Sequence, residues 1–486
     1  MRKTTLFVLL VSSVSSASWA QEVSVYSATF AQYYKQDIPG LERTYTPLTQ
    51  FLGIDATKLG AENLSLHLFG WGNFDLADQT RLNGKNTGSL TYGYARYRFD
   101  KANGELQAGR FAINHGLGYE QIDGVSGRVD LKGGFNISAF GGRPVYYDVQ
   151  NPGQQSDYRY QRDVIFGARL GYRIAKMGEI GVSFLQDGTA TSRYNNDNPI
   201  PADNPVPLPQ PRNDGDFFYS NVHDYRRKLI GGDIIFVPIS RLMFTGRTVF
   251  DIADRAFGPT DLSDASQIAE NDYSLSYKFN NYFSAKASYI ERNFQAYFAG
   301  SNMPSLFSTF EKDKHRSYGA SVTYLDMGGD GPVEVTADYK NIHRETFGDS
   351  TRVGFDMRMT HSRRKLAWGL GYHRVNTSDV VFVDPLKPSY SLSHNETRGW
   401  LMYSSDKYTA SLDAIQYKFD DGEYSKERLN GQSTLYEVIA SAGIKPTENL
   451  RISADIAFGS TSVAKSEARA LLRLEYKFGF AAKGGK

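Results

Sequence analysis

The chain has 486 residues, with 55 lysines and arginines against 53 aspartates and glutamates, and it contains no cysteine. Its formal charge of +2 falls to about zero once Arg2 and Lys3 are removed with the amino-terminal segment described below. A neutral chain argues against nucleic acid or an acidic surface as a partner. The lack of cysteine excludes disulfides, covalently attached haem and iron–sulfur clusters on this polypeptide, and we expect no cofactor.

A secretory signal peptide is predicted over residues 1–20. Arg2 and Lys3 precede the apolar run LFVLLV, and the sequence SWA at 18–20 supplies small residues before a cut ahead of Gln21. The apolar run is far shorter than the roughly 20 residues that a membrane-spanning helix needs. The segment is therefore interpreted as an export signal and not as an anchor.

Residues 21–61 are predicted to form a periplasmic segment or a small plug for the strand-built domain that follows. The sequence TYTPLTQFLGIDATKLG in this stretch would hold a short helix with Leu48, Phe51 and Leu52 on one side. Such a helix would lie at the periplasmic mouth of the domain that follows. With about 40 residues, the segment is too small for the globular plug of an energised outer-membrane transporter.

From about residue 62 to residue 480 the sequence is a train of short alternating strands. In NDYSLSYKFNNYFSAKASYIERNF the apolar positions 273, 275, 277 and 279 interleave with polar ones, and the alternation resumes at 283. Period two with one apolar face indicates a strand that lies between two different media. A soluble sandwich also alternates, but its strands would be shorter and more evenly looped.

About twenty strands are predicted, with 18 to 22 possible, and every second connection is short. The strands lie near residues 62–78, 88–100, 104–115, 119–131, 134–144, 161–174, 178–188, 225–237, 241–253, 268–279, 282–294, 315–326, 332–343, 351–361, 365–376, 393–404, 407–418, 431–444, 448–460 and 468–480. The short connections are 101–103, 132–133, 175–177, 238–240, 280–281, 327–331, 362–364, 404–406 and 445–447. Short periplasmic turns that alternate with long extracellular loops are typical of an all-β, transmembrane antiparallel β-barrel of the bacterial outer membrane.

Aromatic residues near the strand ends would form girdles at the two membrane interfaces. The candidates are Tyr172, Phe236, Phe279, Tyr324, Tyr403 and Phe419. The final strand, ARALLRLEYKFGF, alternates strictly and resembles the terminal strand by which outer-membrane proteins are recognised for insertion. A short tail, residues 481–486, follows it.

The charged positions on the polar faces of these strands are predicted to point into the lumen, because a charge facing lipid costs roughly 2 to 4 kcal/mol at the bilayer midplane. They are Arg169, Asp233, Arg247, Lys286, Asp338, Arg352, Asp356, Arg358, Arg473 and Glu475. They would form either a hydrated pore wall or a salt-bridged interior that neutralises a filled barrel. Because both signs are present, no strong ion selectivity is expected.

Two loops are candidates for narrowing the pore. The proline-rich loop 189–224 could fold inward as a constriction or remain outside as a contact surface. The glycine-rich loop from His115 to Asp123 is shorter, and we expect it to dip into the mouth.

No catalytic arrangement is recognisable, so we do not expect an enzyme. The eight histidines, at positions 67, 115, 223, 315, 343, 361, 373 and 394, show no metal-binding spacing. His343 with His361, or His373 with His394, would be the neighbouring pairs across strands. A hydrogen-bonded or loop histidine is the simpler interpretation of each, and no metal site is predicted.

The passages LGAENLSLHLFGWGNFDLAD and LQAGRFAINHGLGYEQIDGVSGRVDLKGGFNISAFGG resemble the start of outer-membrane channel proteins of metal-respiring Gram-negative bacteria. The resemblance covers about the first quarter of the chain. It implies one of two roles: a porin, or the barrel component of a porin–cytochrome conduit in which multihaem c-type cytochromes thread the pore. It implies no catalytic residue.

Two hypotheses follow. The first is a channel in the outer-membrane bilayer that passes small hydrophilic solutes. The second is a sheath whose polar interior grips a haem protein, and a barrel of this size is wide enough for either. An adhesin or receptor that acts through long loops is the weakest alternative, because the sequence shows no repeat or dedicated extracellular domain.

Overall fold

The computed structural model describes residues 20–38, 41–76, 87–100, 103–145, 164–187, 227–252, 267–293, 314–344, 348–377, 393–420, 429, 431–461 and 464–481. Structural statements below concern these residues. Within this part of the chain, no helix is long and apolar enough to cross a membrane. The predicted signal peptide (apart from Ala20), the loop 189–224 and the tail beyond Ala481 lie outside it, so they stay predictions.

All regular structure in the described residues is β-strand. The first twelve strands are β1 (Ala20–Ile38), β2 (Leu41–Tyr45), β3 (Pro47–Leu59), β4 (Leu64–Asp75), β5 (Thr87–Phe99), β6 (Gly104–Asn114), β7 (Tyr119–Asp130), β8 (Phe135–Pro144), β9 (Ile165–Ile174), β10 (Gly178–Asp187), β11 (Arg227–Ile239) and β12 (Leu242–Asp251). The others are β13 (Gln267–Lys278), β14 (Phe283–Asn293), β15 (Lys314–Asp326), β16 (Val333–Arg344), β17 (Gly348–His361), β18 (Leu366–Thr377), β19 (His394–Ser404), β20 (Tyr408–Phe419), β21 (Thr434–Thr447), β22 (Leu450–Gly459) and β23 (Glu467–Ala481).

The 23 strands of the described residues close into one antiparallel barrel whose wall has 22 strand positions, because two of the strands share one position. β2 and β3 pair with β1 in a single register, with Tyr34 opposite Tyr45 and Ala31 opposite Leu48, so together they fill one position in the wall. β1 pairs with β3 on one side and with β23 on the other, which closes the ring. The closed ladder leaves no open sheet edge, as a strand-built membrane protein requires. The predicted antiparallel barrel is confirmed, at the upper end of the predicted strand number.

Residues 21–61 correct the predicted division of the chain. The described part of this segment is neither a periplasmic segment nor a plug, because it forms β1, β2 and β3 of the barrel wall. Fifteen register pairs, from Glu22–Ala481 to Gln36–Glu467, join β1 to the last strand. Leu48, Phe51 and Leu52 lie in β3 and not in a helix. The barrel therefore begins about 40 residues earlier than predicted.

The twenty predicted strands each overlap one of β4–β23. The short connections lie at one end of the barrel, here called the short-turn end, and the opposite end is the long-loop end. The turn between β13 and β14 shows how a short connection is fixed. The Asn280 side-chain oxygen accepts hydrogen bonds from the backbone N–H groups of Tyr282 and Phe283, each at 2.8 Å.

The outer face of the wall is apolar. On β17, Val353 and Phe355 are 49% and 45% exposed, and on β23 Leu472 and Leu474 are 51% and 43% exposed. Buried in lipid, such an array of side chains would be stabilising, whereas in water it would be an aggregation surface. Charged residues occupy the alternate positions of the same strands.

Several predicted girdle residues lie on this outer face at strand ends. Tyr172, Phe279 and Tyr403 are large exposed side chains. Phe419 departs from the prediction, because its register partner is His394, whose ring lies 5.0 Å from it. Both residues share the inner face with Arg398 and Asp413, so Phe419 is not a girdle residue.

An ion pair links two strands outside the lumen at the long-loop end. Arg374 of β18 donates two hydrogen bonds, of 2.7 and 2.6 Å, to Asp420, which follows β20. These hydrogen bonds from the guanidinium lower the pKa of the Asp420 carboxyl below its ordinary value.

Candidate functional site in the barrel lumen

The structure places all ten predicted lumen residues on the inner face. Each alternates with outward apolar neighbours or pairs in register with another inward residue, as Asp233 does with Arg247. They are Arg169, Asp233, Arg247, Lys286, Asp338, Arg352, Asp356, Arg358, Arg473 and Glu475. Their placement on the inner side of the wall follows from strand register.

Arg169 is the centre of one group of inner charges. Its guanidinium donates to both carboxylate oxygens of Asp233, at 3.1 and 2.7 Å. It also lies 2.8 Å from Glu179 and donates to the Asn136 side-chain oxygen at 3.0 Å. One cation thus offsets half of the charge of two carboxylates from β10 and β11, and it binds Asp233 with the bidentate geometry that arginine favours. The Arg169 side chain is 16% exposed, whereas Asp233 and Glu179 remain 22% and 28% exposed.

Other predicted charges also have partners on neighbouring strands. Arg247 lies 2.6 Å from Glu270, Arg358 lies 2.8 Å from Glu334, and Arg473 lies 2.5 Å from Asp455. The alternation predicted the charged face, but the partners Glu179, Glu270, Glu334 and Asp455 were not predicted as site residues. These four acids could have been found by the same alternation, if every acidic residue on the polar face of a strand had been included.

A second group surrounds a buried imidazole. His373 is almost fully buried, and its Nε2 atom lies 2.9 Å from Asp338 Oδ1 and 3.5 Å from Asp356 Oδ2. Its Nδ1 atom lies 4.0 Å from Glu396. His373 is therefore a hydrogen-bonded histidine, as interpreted from the sequence.

Asp338, Asp356 and His373 are the residues in the described part of the chain whose ligand atoms converge enough to hold a metal ion, all within 4.8 Å of one another. Imidazole and carboxylate would suit a divalent transition metal. Arg352 lies 3.2 Å from Asp338 and 3.8 Å from Glu396, and its positive charge compensates part of the negative charge of this group. These contacts join His373, Asp338, Asp356 and Glu396 with Arg352 in one network of the wall.

The hairpin tip between β6 and β7, residues 115–118, bends into the lumen. Ser183 of β10 donates a 2.7 Å hydrogen bond to the backbone carbonyl oxygen of His115. A Cβ atom on Gly116, whose φ is +91°, would lie 2.7 Å from both Asp233 Oδ1 and Ser183 Oγ. Glycine is required there by its φ and by this close approach. The expectation that this glycine-rich loop dips into the mouth agrees with these contacts.

An apolar cluster beneath the tip fills part of the lumen near the long-loop end. Its buried members come from seven consecutive strands and the tip itself: Phe111, Leu117, Ile122, Phe140, Ile165, Leu185, Leu229 and Val249. Leu117 reaches β11, four strands along the wall from β7, where a Cβ on Gly231 would meet its side chain at 2.6 Å. The sequence did not predict this cluster, because inward apolar residues break the alternation from which the lumen face was inferred.

A row of aromatic rings, here called the aromatic track, lines the inner face of β1, β3, β4 and β5. It consists of Phe30, Phe51, Phe69, Tyr92 and Tyr94, with successive ring centroids 5.1, 6.1, 5.5 and 5.9 Å apart. Register places it inward, since β1 pairs Phe30 with Arg473 and β4 pairs Phe69 with Gly53. Sequence reasoning missed the track entirely.

The comparisons with known proteins bear on the fold. No protein-family model and no curated protein matches the sequence. A mutant of the ferric enterobactin receptor PfeA from Pseudomonas aeruginosa matches with a TM-score of 0.52 and 9% identity, over 93% of this chain and 80% of that one. At this identity the similarity shows the barrel fold alone.

Two further barrels match over nearly their whole length. The outer membrane protein OpdK from Pseudomonas aeruginosa has a TM-score of 0.44 and 9% identity, over 95% of this chain and 100% of that one. OccAB4 from Acinetobacter baumannii has a TM-score of 0.44 and 8% identity, over 96% of this chain and 100% of that one.

Proposed function

We propose that this protein is an outer-membrane channel that gives small hydrophilic solutes passive passage. The observation that carries the proposal is that charged side chains on the inner wall remain exposed inside a closed barrel. Asp356 is 60% exposed, Arg358 is 58% exposed and Arg398 is 52% exposed. In a barrel filled by its own side chains these charges would be buried, at a large desolvation cost. A hydrated wall is the simpler interpretation.

The apolar outer face and the predicted signal peptide support the outer-membrane location. The inner charges occur mainly as pairs of opposite sign, which supports a channel with weak ion selectivity. The inward tip and the apolar cluster would narrow the mouth on the β6–β12 side and set a size limit for solutes. No catalytic step is proposed.

The sheath hypothesis has no specific observation in its favour among the described residues. A cytochrome inside the barrel would compete with the hairpin tip and the apolar cluster for the same part of the lumen. We therefore propose the channel and not the conduit.

Liposome swelling tests the proposal. Vesicles that contain the purified, folded barrel should swell in isotonic solutions of small sugars and amino acids, and progressively more slowly as the solute grows. Vesicles that contain the unfolded protein are the control. Swelling no faster than this control, for every solute tested, would contradict a channel.

A further inference from the structure

The aromatic track is more continuous than the packing of neighbouring strands requires. Phe51 and Phe69 stack at an interplanar angle of 21°, and Phe69 and Tyr92 stack at 18°. Tyr26 stacks on Phe69, and His67 stacks on Tyr94, which widens the row. An edge-on contact of Tyr94 with Phe111 joins the row to the apolar cluster below the tip.

The position of the track is unusual for aromatic side chains in a membrane barrel. Large apolar residues are expected on the lipid face, and the inner face of such barrels is ordinarily polar. Here the five rings of the track face the lumen and are each half-buried, so part of every ring is accessible from inside. An apolar strip in a hydrated lumen is a binding surface for solutes with apolar faces.

The charges beside the track are of both signs. Arg473 lies 5.8 Å from the ring centroid of Phe30 and 2.5 Å from Asp455. Asp55 lies 2.6 Å from His67 on the other flank. Arg96 lies two residues from Tyr94, and Glu475 is opposite Ala28, so the same inner face holds a further charge of each sign. A hydroxyl group can both donate and accept, and so can bind charges of either sign.

We propose that the aromatic track binds neutral pyranose sugars and guides them through the lumen. A pyranose ring has apolar C–H faces that pack on aromatic rings, and hydroxyl groups around its edge that would reach the charges of both signs. The spacing of successive rings is comparable with the length of one sugar unit, so an oligosaccharide can contact several rings at once. This inference rests on the proposed channel function and names its substrate class.

An aromatic carboxylate is the main competing ligand, since it also stacks on aromatic rings. It would need a cation that outweighs the acids beside the track. Arg473 is engaged with Asp455, and Arg96 shares the inner face with Asp55 and Glu475. The geometry of the track therefore favours the neutral sugar.

The test is block of single-channel current by maltohexaose in a planar bilayer. Wild-type channels should show saturable, concentration-dependent interruptions of the current. A poly(ethylene glycol) of similar mass, which has no rings, should cause none. The double variant Phe51→Ser/Phe69→Ser should raise the half-saturating sugar concentration by about tenfold, the loss expected for two aromatic contacts. Phe51→Tyr/Phe69→Tyr should retain the block.

Trp400→Ser is the matched control, because Trp400 is a half-buried aromatic on the inner face of β19, outside the track. It should leave the half-saturating concentration unchanged, and basal conductance reports folding in every variant. Three results would each overturn the sugar proposal. They are an equal rise of the half-saturating concentration in Trp400→Ser, block of the current by benzoate but not by the sugar, and no sugar block in a wild-type channel that conducts. A wild-type barrel that does not conduct would instead contradict the channel function itself.

Discussion

Arg169 is a cation of the inner wall that contacts two carboxylates at short distance. Its guanidinium contacts both Asp233 and Glu179, at 2.7 and 2.8 Å. The nearby Arg173 lies 3.9 Å from Glu179 and is more than half exposed, so it cannot replace Arg169. Arg169 is therefore the cation with the closest contacts to both carboxylates.

Replacing Arg169 with methionine should make the channel more cation-selective. One negative charge would be released, and a unit charge about 8 Å from a passing ion contributes about 0.5 kcal/mol in water, or about a twofold change in the K⁺/Cl⁻ permeability ratio. The reversal potential in a KCl gradient measures this ratio. Arg169→Lys keeps the charge and should behave like the wild type. An unchanged reversal potential in Arg169→Met would show that these carboxylates do not face the conducting path.

Gly116 is the residue on which the inward position of the hairpin tip depends. A side chain there would clash with Asp233 and Ser183, and the backbone conformation costs an L-residue about 1 to 2 kcal/mol. Gly116→Val should displace the tip and raise the single-channel conductance. Gly118→Ala is the matched control, since a Cβ at Gly118 would meet only Glu120, at 3.9 Å. Equal conductance in the two variants would mean that the tip does not narrow the path.

At the scale of the strand, β1 determines whether the barrel closes. It pairs with β23 on one side and with β3 on the other. Without it, two strands would present unpaired edges, which promote aggregation.

Deleting residues 22–38 should therefore prevent folding. The wild-type barrel should migrate differently before and after heating in gel electrophoresis, whereas the deletion variant should show only the unfolded form. Deleting residues 482–486, beyond the end of β23, is the control and should leave the heat-modifiable form intact. A folded, heat-modifiable barrel in the β1 deletion would restore the interpretation of this segment as a plug.

The sequence predicts the strands of this barrel wherever the inner face is polar. On β17 the alternation of Arg352, Val353, Asp356 and Phe355 identifies both the strand and its inner face. The same rule fails at β1 and β3, because polar residues such as Ser27 and Gln50 stand on the outer face while aromatic residues of the track stand on the inner face. In β3, Leu48 and Leu52 point outward and Phe51 points inward, and their spacing imitates one side of a helix.

Ion-pair partners and lumen clusters could not be predicted for a related reason. Alternation assigns a residue to a face, but it does not give the register between strands. The contact of Ser183 with His115 joins residues 68 positions apart and depends on how the tip bends. The lumen charges were therefore predictable as a class, whereas the tip contact, the His373 group and the aromatic track were not.

At the scale of the whole molecule, the barrel separates two surfaces of opposite character. The outer face is an apolar surface suited to lipid, and the inner face holds charges of both signs with the aromatic track on one side. The 22-position wall encloses this inner face completely. The central proposal is that solutes cross the membrane along it.

Thiol labelling during conductance recording tests this proposal most directly, because the chain contains no cysteine and each introduced thiol is unique. Lys286 of β14 points inward and the adjacent Ala287 points outward, opposite Leu275. A charged, membrane-impermeant methanethiosulfonate reagent should change the current through Lys286→Cys channels in discrete steps and should leave Ala287→Cys channels unaffected. Two results would contradict a solute path along the inner face. One is a current through Lys286→Cys channels that the reagent does not alter, and the other is an equal change of current in both variants.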